Sequence, residues 1–129
     1  MLDTNTVSHA IKGSSALVRA RLLAAPRNAV CISAITEGEL RFGLAWRPEA
    51  VRLAAGVEAF FLRVSILPWD SLVAVRYGPL RAALKGAGKP LGHLDTLIAA
   101  HALAADAVLV THDLAFRRVP GLTIEDWQA

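Results

Sequence analysis

Short apolar runs alternate with segments whose apolar residues recur at helical spacing. The apolar runs have the length of buried strands and lie at 1–2, 29–32, 64–67, 107–110 and near 122–125. The helical segments between them cover 5–12, 15–25, 34–46, 48–63, 70–86 and 93–105. This alternation predicts one α/β domain over residues 1–129, with a mostly parallel sheet of four to five strands covered by helices on both faces.

Two acidic residues lie just past the ends of predicted strands. Asp3 comes after Met1 and Leu2, and Asp113 comes three residues after Val110. In parallel α/β sheets ligands bind beyond the carboxyl ends of the strands, so both carboxylates are candidates for a functional site. The alternative is an ordinary helix cap or turn, which Asp often provides at such positions.

Glu39 lies on an otherwise apolar stripe of its predicted helix. Ile35, Glu39, Phe42 and Trp46 stand at positions i, i+4, i+7 and i+11, which places them on one helical face. A stripe with three large apolar members is expected to face the core. A carboxylate there is costly unless something neutralises it.

Asp95 belongs to the most apolar helical segment of the chain. Residues 94–103 are apolar nearly all round, which is typical of a buried helix. Asp95 shares a face with Ile98, Ala99 and Ala102. A first-turn Asp is favoured by the helix dipole, but the dipole does not explain why so buried a helix carries a carboxylate. His101 on the same helix is expected to be a hydrogen-bonded core histidine.

Four carboxylates in one site would repel each other unless a cation joined them. Carboxylate oxygens suit Mg²⁺ or Mn²⁺. The chain has 14 basic and 11 acidic residues, so setting Asp3, Glu39, Asp95 and Asp113 aside leaves 7 acidic residues. An acidic site within a basic surface is expected for metal-assisted hydrolysis of a polyanion such as RNA.

Composition narrows the classes of protein further. No apolar stretch reaches the roughly 20 residues that span a bilayer, no basic region followed by an apolar run opens the chain, and a single cysteine cannot form an internal disulfide. We therefore expect a cytoplasmic location and no membrane contact.

The residues that carry a family resemblance lie in four segments. The chain resembles the PIN-domain nucleases, and specifically the VapC-type toxins of bacterial toxin–antitoxin pairs, over essentially its whole length. The matching segments are 2–5, 32–40, 94–103 and 110–113, with weaker agreement at 67–70 and 119–122.

The resemblance implies a Rossmann-like, doubly wound sheet that gathers Asp3, Glu39, Asp95 and Asp113 around Mg²⁺, with Mn²⁺ as the other choice. It also implies that Asn5 and Thr111 orient these carboxylates. The expected activity is hydrolysis of RNA, in many relatives tRNA, to 5′-phosphate and 3′-hydroxyl ends. Only two residues precede Asp3, fewer than in the family, so the first strand is expected to be very short or truncated.

The resemblance further implies partners. These are a second copy of the chain, a cognate VapB-type antitoxin that covers the active site, and operator DNA reached only through the antitoxin.

Three other interpretations of the sequence have less support from its residues but remain open. A phosphatase of the haloacid dehalogenase type needs a second Asp two residues after Asp3, where this chain has Asn5. A zinc hydrolase needs closely spaced His or Cys ligands, and the four histidines are scattered. A non-catalytic RNA-binding or interaction module on the same fold is the non-enzymatic alternative.

Overall fold

The computed structural model describes residues 1–128. Six α-helices lie in this range: α1 Thr4–Lys12, α2 Ala16–Ala24, α3 Ala34–Trp46, α4 Val51–Phe61, α5 Ser71–Gly86 and α6 His93–Ala104. The strands are β1 Cys31–Ser33, β2 Ser65–Leu67, β3 Leu109–Val110 and β4 Ile124–Glu125. Short 3₁₀ helices cover Arg27–Ala29 and Leu114–Arg118. None of the described helices is long and apolar enough to cross a bilayer.

The first residues of the chain join two pairs of strands into one layer. β1 pairs in parallel with β2, and β3 pairs in parallel with β4. Between them, the Leu2 N–H donates to the Cys31 carbonyl at 2.9 Å, and the Val110 N–H donates to the Met1 carbonyl at 2.8 Å. The order is therefore β2, β1, residues 1–3, β3, β4. The chain runs outward from the centre in both directions, which confirms the predicted doubly wound arrangement.

The predicted first strand is reduced to one parallel bridge between Leu2 and Val110. The other predicted strands are also present but shorter than expected. The segment 29–32 is the most changed, because a 3₁₀ helix at Arg27–Ala29 delays the strand to Cys31.

Side-chain caps set the start of most helices. Asp3, Ser15, Ser33 and Asp70 each accept a hydrogen bond from a backbone N–H in the first turn of the helix that follows, as N-cap residues do. Pro79 lies inside α5 without ending the helix. Its missing N–H leaves a carbonyl without a partner one turn earlier, on an exposed part of the helix where water can satisfy it.

Two apolar clusters hold the helices on opposite faces of the layer. One contains Leu2 and Val7 with residues of α2 and α4. The other contains Met1 and Phe116 with residues of α5 and α6. Adjacent residues of an extended segment point to opposite faces, so Met1 and Leu2 each belong to a different cluster. The predicted covering of both faces is confirmed.

Leu2 provides a test of this central position. Its side chain is 1% exposed, whereas that of Leu62 is 85% exposed. Leu2→Ala should lower the free energy of unfolding by about 2–5 kcal/mol, because it removes a buried side chain and leaves a cavity. The control Leu62→Ala should change the free energy by less than about 0.5 kcal/mol. Urea denaturation followed by circular dichroism measures both, and equal stabilities would contradict a central role for the first residues.

Candidate active site

The carboxyl edge of the sheet brings together residues that are far apart in the chain. Asp3 follows the central segment, and Asp113 lies three residues beyond β3. Glu39 comes from α3, which begins directly after β1, and Asp95 comes from the first turn of α6. Because parallel strands end at the same edge, the strand order places the three carboxylates that follow strands in one region. Their charges also act on Asp95, which therefore lies near them.

Asp3 is buried, with 4% of its surface exposed. Its Oδ1 accepts a hydrogen bond from the Thr6 N–H at 2.8 Å, and its Oδ2 accepts one from the Thr111 hydroxyl at 2.6 Å. Asp3 therefore caps α1, as the alternative reading expected. The cap uses only one of the two carboxylate oxygens of Asp3. The other oxygen can therefore still face the site.

Thr111 links two of the carboxylate segments. While its hydroxyl donates to Asp3, the same oxygen accepts the Asp113 N–H at 3.0 Å. The Asp113 side chain is exposed, and its Oδ1 caps the second 3₁₀ helix by accepting the Ala115 N–H at 2.9 Å. Thr111 therefore orients Asp3 directly and fixes the backbone that carries Asp113.

Glu39 is half-buried and is held by a residue that the sequence did not single out. The Thr4 hydroxyl donates to Oε1 of Glu39 at 2.6 Å and lies 3.2 Å from the Thr36 hydroxyl. A polar residue directly after Asp3 was the available signal. Asn5, in contrast, is exposed, and its side chain makes no hydrogen bond to other residues within 1–128. The structure gives Thr4 the contact that was expected of Asn5.

The expected core-facing stripe of α3 is only partly correct. Ile35 is half-buried and packs against the α5–α6 cluster. Phe42 and Trp46 are 67% and 74% exposed, and their rings stack on each other with centroids 6.2 Å apart. The prediction that these two aromatic residues lie in the core was wrong. The fully buried side chains of α3 lie in its first half. In its second half Leu44 is partly buried against the core, while the two aromatic side chains face away from it.

Asp95 is a carboxylate whose pKa is shifted by its surroundings. Burial raises its pKa, and the charges of Asp113, Asp3 and Glu39 raise it further. Each of these causes disfavours the ionised form. The helix around Asp95 is buried as predicted, since Ile98, Ala99 and Ala102 are at most 1% exposed. The four predicted residues therefore share one electrostatic environment.

The chemistry of this donor set suits a hard divalent cation. Within residues 1–128, no Lys, Arg or His forms a salt bridge with any of the four carboxylates. In the same range, no group of three or more His, Cys, Asp and Glu side chains is arranged as a ready metal site. Asp3 and Glu39 are instead held by threonine hydroxyls. Two of the four carboxylates that would hold such a cation are thus already oriented by hydrogen bonds.

A buried hydrogen bond ties together the two helices that carry Glu39 and Asp95. His101 in α6 is 3% exposed, and its Nδ1 lies 2.7 Å from the hydroxyl of Ser33, the cap of α3. Burial lowers the pKa of His101, while the charge of Asp70 opposes that shift. The expectation of a hydrogen-bonded core histidine is confirmed.

The chain is thus an α/β domain of the class that has a parallel, doubly wound sheet with carboxylates gathered at its carboxyl edge. The chain belongs to the PIN domain family, since a model of the PIN domain matches residues 1–122. Among relatives, it is 41% identical to the tRNA(fMet)-specific endonuclease VapC of Salmonella typhimurium, over 98% of this chain and 96% of that protein.

Solved structures of similar proteins agree with this assignment. VapBC2 from Rickettsia felis, bound to a DNA fragment from its promoter, matches with a TM-score of 0.91 and 34% identity, covering 98% of this chain and 97% of that one. DNA-bound VapBC from Salmonella typhimurium matches with a TM-score of 0.89 and 40% identity, covering 98% and 96%.

The raised pKa of Asp95 predicts a pH-dependent effect on stability. A carboxyl group whose pKa is higher in the folded state destabilises the fold when it is ionised. Asp95→Asn should therefore raise the free energy of unfolding near pH 7, by up to about 1 kcal/mol for a half-exposed position. The difference should shrink as the pH falls through the raised pKa, because the wild type then carries a proton.

Thermal melts of both proteins between pH 4 and pH 8 measure this difference. Asp106→Asn is the matched control, because Asp106 is exposed and has a positive φ of 50° that Asn also tolerates. A variant less stable than the wild type at neutral pH would show that the helix dipole outweighs the repulsion.

Proposed function

We propose that this chain is a metal-dependent endoribonuclease of the VapC toxin type. The observation that carries the proposal is the set of four carboxylates at the carboxyl edge of the sheet, which have no salt-bridge partner among residues 1–128. The names of its relatives support the same activity, since they include a tRNA(fMet)-specific endonuclease and a ribonuclease VapC2. A net charge of +3 with an acidic site favours a polyanionic substrate.

Asp3, Glu39, Asp95 and Asp113 are the residues that would hold Mg²⁺ or Mn²⁺. When bound, the ion would neutralise charge on the scissile phosphate and lower the pKa of an attacking water. Attack on phosphorus in line with the departing 3′ oxygen breaks the P–O3′ bond. The products then carry a 5′-phosphate and a 3′-hydroxyl.

Two threonines keep the carboxylates in place for this chemistry. Thr111 fixes one oxygen of Asp3, and Thr4 fixes one oxygen of Glu39. Each bond leaves the other lone pairs of the carboxylate available to a cation. Loss of such an orienting group typically costs roughly 10–100-fold in metal affinity or activity.

We further propose that the RNA is tRNA, that a VapB-type antitoxin blocks the site, and that the toxin acts in the cytoplasm as a homodimer. Operator DNA would be reached through the antitoxin alone. The exposed stack of Phe42 and Trp46 supports a protein partner, because large exposed aromatic side chains are enriched at interfaces. It lies on the same helix as Glu39, so a partner bound there would be near the active site.

Cleavage of end-labelled cellular RNA tests the activity. With Mg²⁺ or Mn²⁺ the wild type should cut, and EDTA should abolish cutting. Asp95→Asn should reduce the rate by more than the roughly 10–100-fold typical of losing a group behind a metal ligand. The control Asp106→Asn, an exposed residue following α6, should cut like the wild type. The new ends should be substrates for an exonuclease that requires a 5′-phosphate.

Two other results would exclude this proposal. Equal cutting by the wild type and Asp95→Asn would place the activity elsewhere or in a contaminant. RNA binding without cutting, in the presence of either ion, would favour a non-catalytic RNA-binding module.

The hydroxyl of Thr111 provides a separate prediction. Thr111→Val keeps the shape of the side chain but removes its hydrogen bonds to Asp3 and to the Asp113 N–H, so cleavage should fall roughly 10–100-fold. Thr123→Val is the control, because Thr123 is exposed and lies directly before β4. Cleavage rates at saturating Mg²⁺, together with the Mg²⁺ concentration for half-maximal rate, measure the effect. An unchanged rate and an unchanged Mg²⁺ dependence would show that Asp3 does not need this hydroxyl.

A further inference from the structure

A cavity of about 410 Å³ lies between α5 and the segment that leads into α6. Its size falls within the roughly 300–1,000 Å³ of typical ligand pockets. The residues that line it include Arg81, Lys85, Pro90, Leu91, His93 and Thr96. The cavity therefore combines an apolar wall with two cationic side chains, and among the described residues no carboxylate lines it.

The cationic side chains of this basic pocket are available to a ligand. Arg81 and Lys85 are exposed, and neither forms a salt bridge within residues 1–128. Arg81 uses one Nη1 hydrogen to donate to the Tyr77 hydroxyl at 3.0 Å, which leaves most of its five N–H donors free. Arg118 donates to the Pro90 carbonyl at 2.9 Å and brings a third positive charge to the rim.

The loop that forms one wall is held in place by its own hydrogen bonds. The Gly88 N–H donates to the Lys85 carbonyl, and the Lys89 N–H donates to the Leu84 carbonyl at 2.9 Å. Gly88 has a φ of +66°, a conformation that favours glycine. The Thr96 hydroxyl donates to the Gly92 carbonyl at 2.8 Å and ties the loop to α6. The pocket is thus largely pre-formed.

This pocket lies beside the carboxylate cluster. His93 and Thr96 line the pocket, and Asp95 stands between them in the chain. A methyl group added to Gly92 would be 3.6 Å from Oδ2 of Asp95, so the loop passes close to that carboxylate. A polymer that places one phosphate at the carboxylates would therefore bring a neighbouring unit to the pocket.

We propose that the basic pocket binds a nucleotide of the RNA adjacent to the scissile phosphodiester. Arg81 and Lys85 hold its phosphate, and Leu91 and Pro90 contact its sugar or base. The inference rests on the proposed ribonuclease function and adds where the strand lies relative to the cut. A phosphate anchored here offsets the repulsion between the RNA backbone and the four carboxylates.

Binding of RNA without cleavage tests the pocket. Fluorescence anisotropy with a short fluorescein-labelled single-stranded RNA in EDTA measures the dissociation constant at several salt concentrations. Arg81→Ala/Lys85→Ala should weaken binding about tenfold and lower the slope of log K against log salt by about 1, since a phosphate contact is lost. Arg81→Lys/Lys85→Arg, which keeps both charges, should retain most of the affinity.

The matched control is Arg27→Ala/Arg63→Ala, which removes the same charge. Arg27 precedes β1 and Arg63 precedes β2, so both lie at the amino ends of the strands, away from the site. Binding by this control should weaken less than twofold. Equal losses in the two double variants would reduce the effect to net charge and overturn the proposal, as would unchanged binding by Arg81→Ala/Lys85→Ala. Melting temperatures close to that of the wild type verify that each variant is folded.

The same experiment separates this inference from the ribonuclease function. If the wild type cuts RNA and the pocket variant binds and cuts equally well, the function stands and the pocket proposal fails. If RNA binding depends on the pocket but no cutting occurs with Mg²⁺ or Mn²⁺, the pocket proposal stands and the ribonuclease function fails.

Discussion

The backbone pairing of residues 1–3 between β1 and β3 positions the whole carboxyl edge. The Met1 ammonium donates to the Val108 carbonyl at 2.7 Å, and the Asp3 N–H donates to the Val110 carbonyl at 3.1 Å. These hydrogen bonds fix the point at which Asp3 leaves the sheet. The burial of Leu2 fixes which face of the sheet the side chains of Met1 and Asp3 point to. Since β1 and β3 flank this segment, α3 and the Asp113 turn also start beside it. One short central segment thus determines where three of the four carboxylates begin.

Gathering like charges has a cost, and the site distributes it unequally. Asp3 and Glu39 accept short hydrogen bonds from threonine hydroxyls. Asp95 accepts no side-chain or backbone hydrogen bond within residues 1–128 that would offset its burial, and its pKa is raised. The ionised form of Asp95 is therefore disfavoured on a buried helix. A cation bound beside Asp95 would oppose both causes of the shift.

Sequence periodicity located most helices because each has a buried face of several residues, as in α6. It also identified Asp95, since a carboxylate stands out on so apolar a helix. The apolar periodicity of α3 identified its stripe but not how far along the helix this stripe contacts the core. Phe42 and Trp46 were therefore predicted to be buried, although both are exposed. The bond from Thr4 to Glu39 joins residues 35 positions apart. No local pattern reveals such a contact, because it depends on how α1 packs against α3.

Acidic and basic side chains lie in separate patches on the surface, and this separation can orient a bound polyanion. Four carboxylates alone would repel a polyanion, and scattered arginines alone would bind it without a defined register. In this fold α6 carries Asp95 on one side of its first turn and borders the basic pocket on the other. Under the proposed function, a strand held in that pocket would continue across the first turn of α6 to the carboxylates. The same helix end would then set both where the backbone is held and where it meets the acidic cluster, which is the condition for cutting at a defined bond.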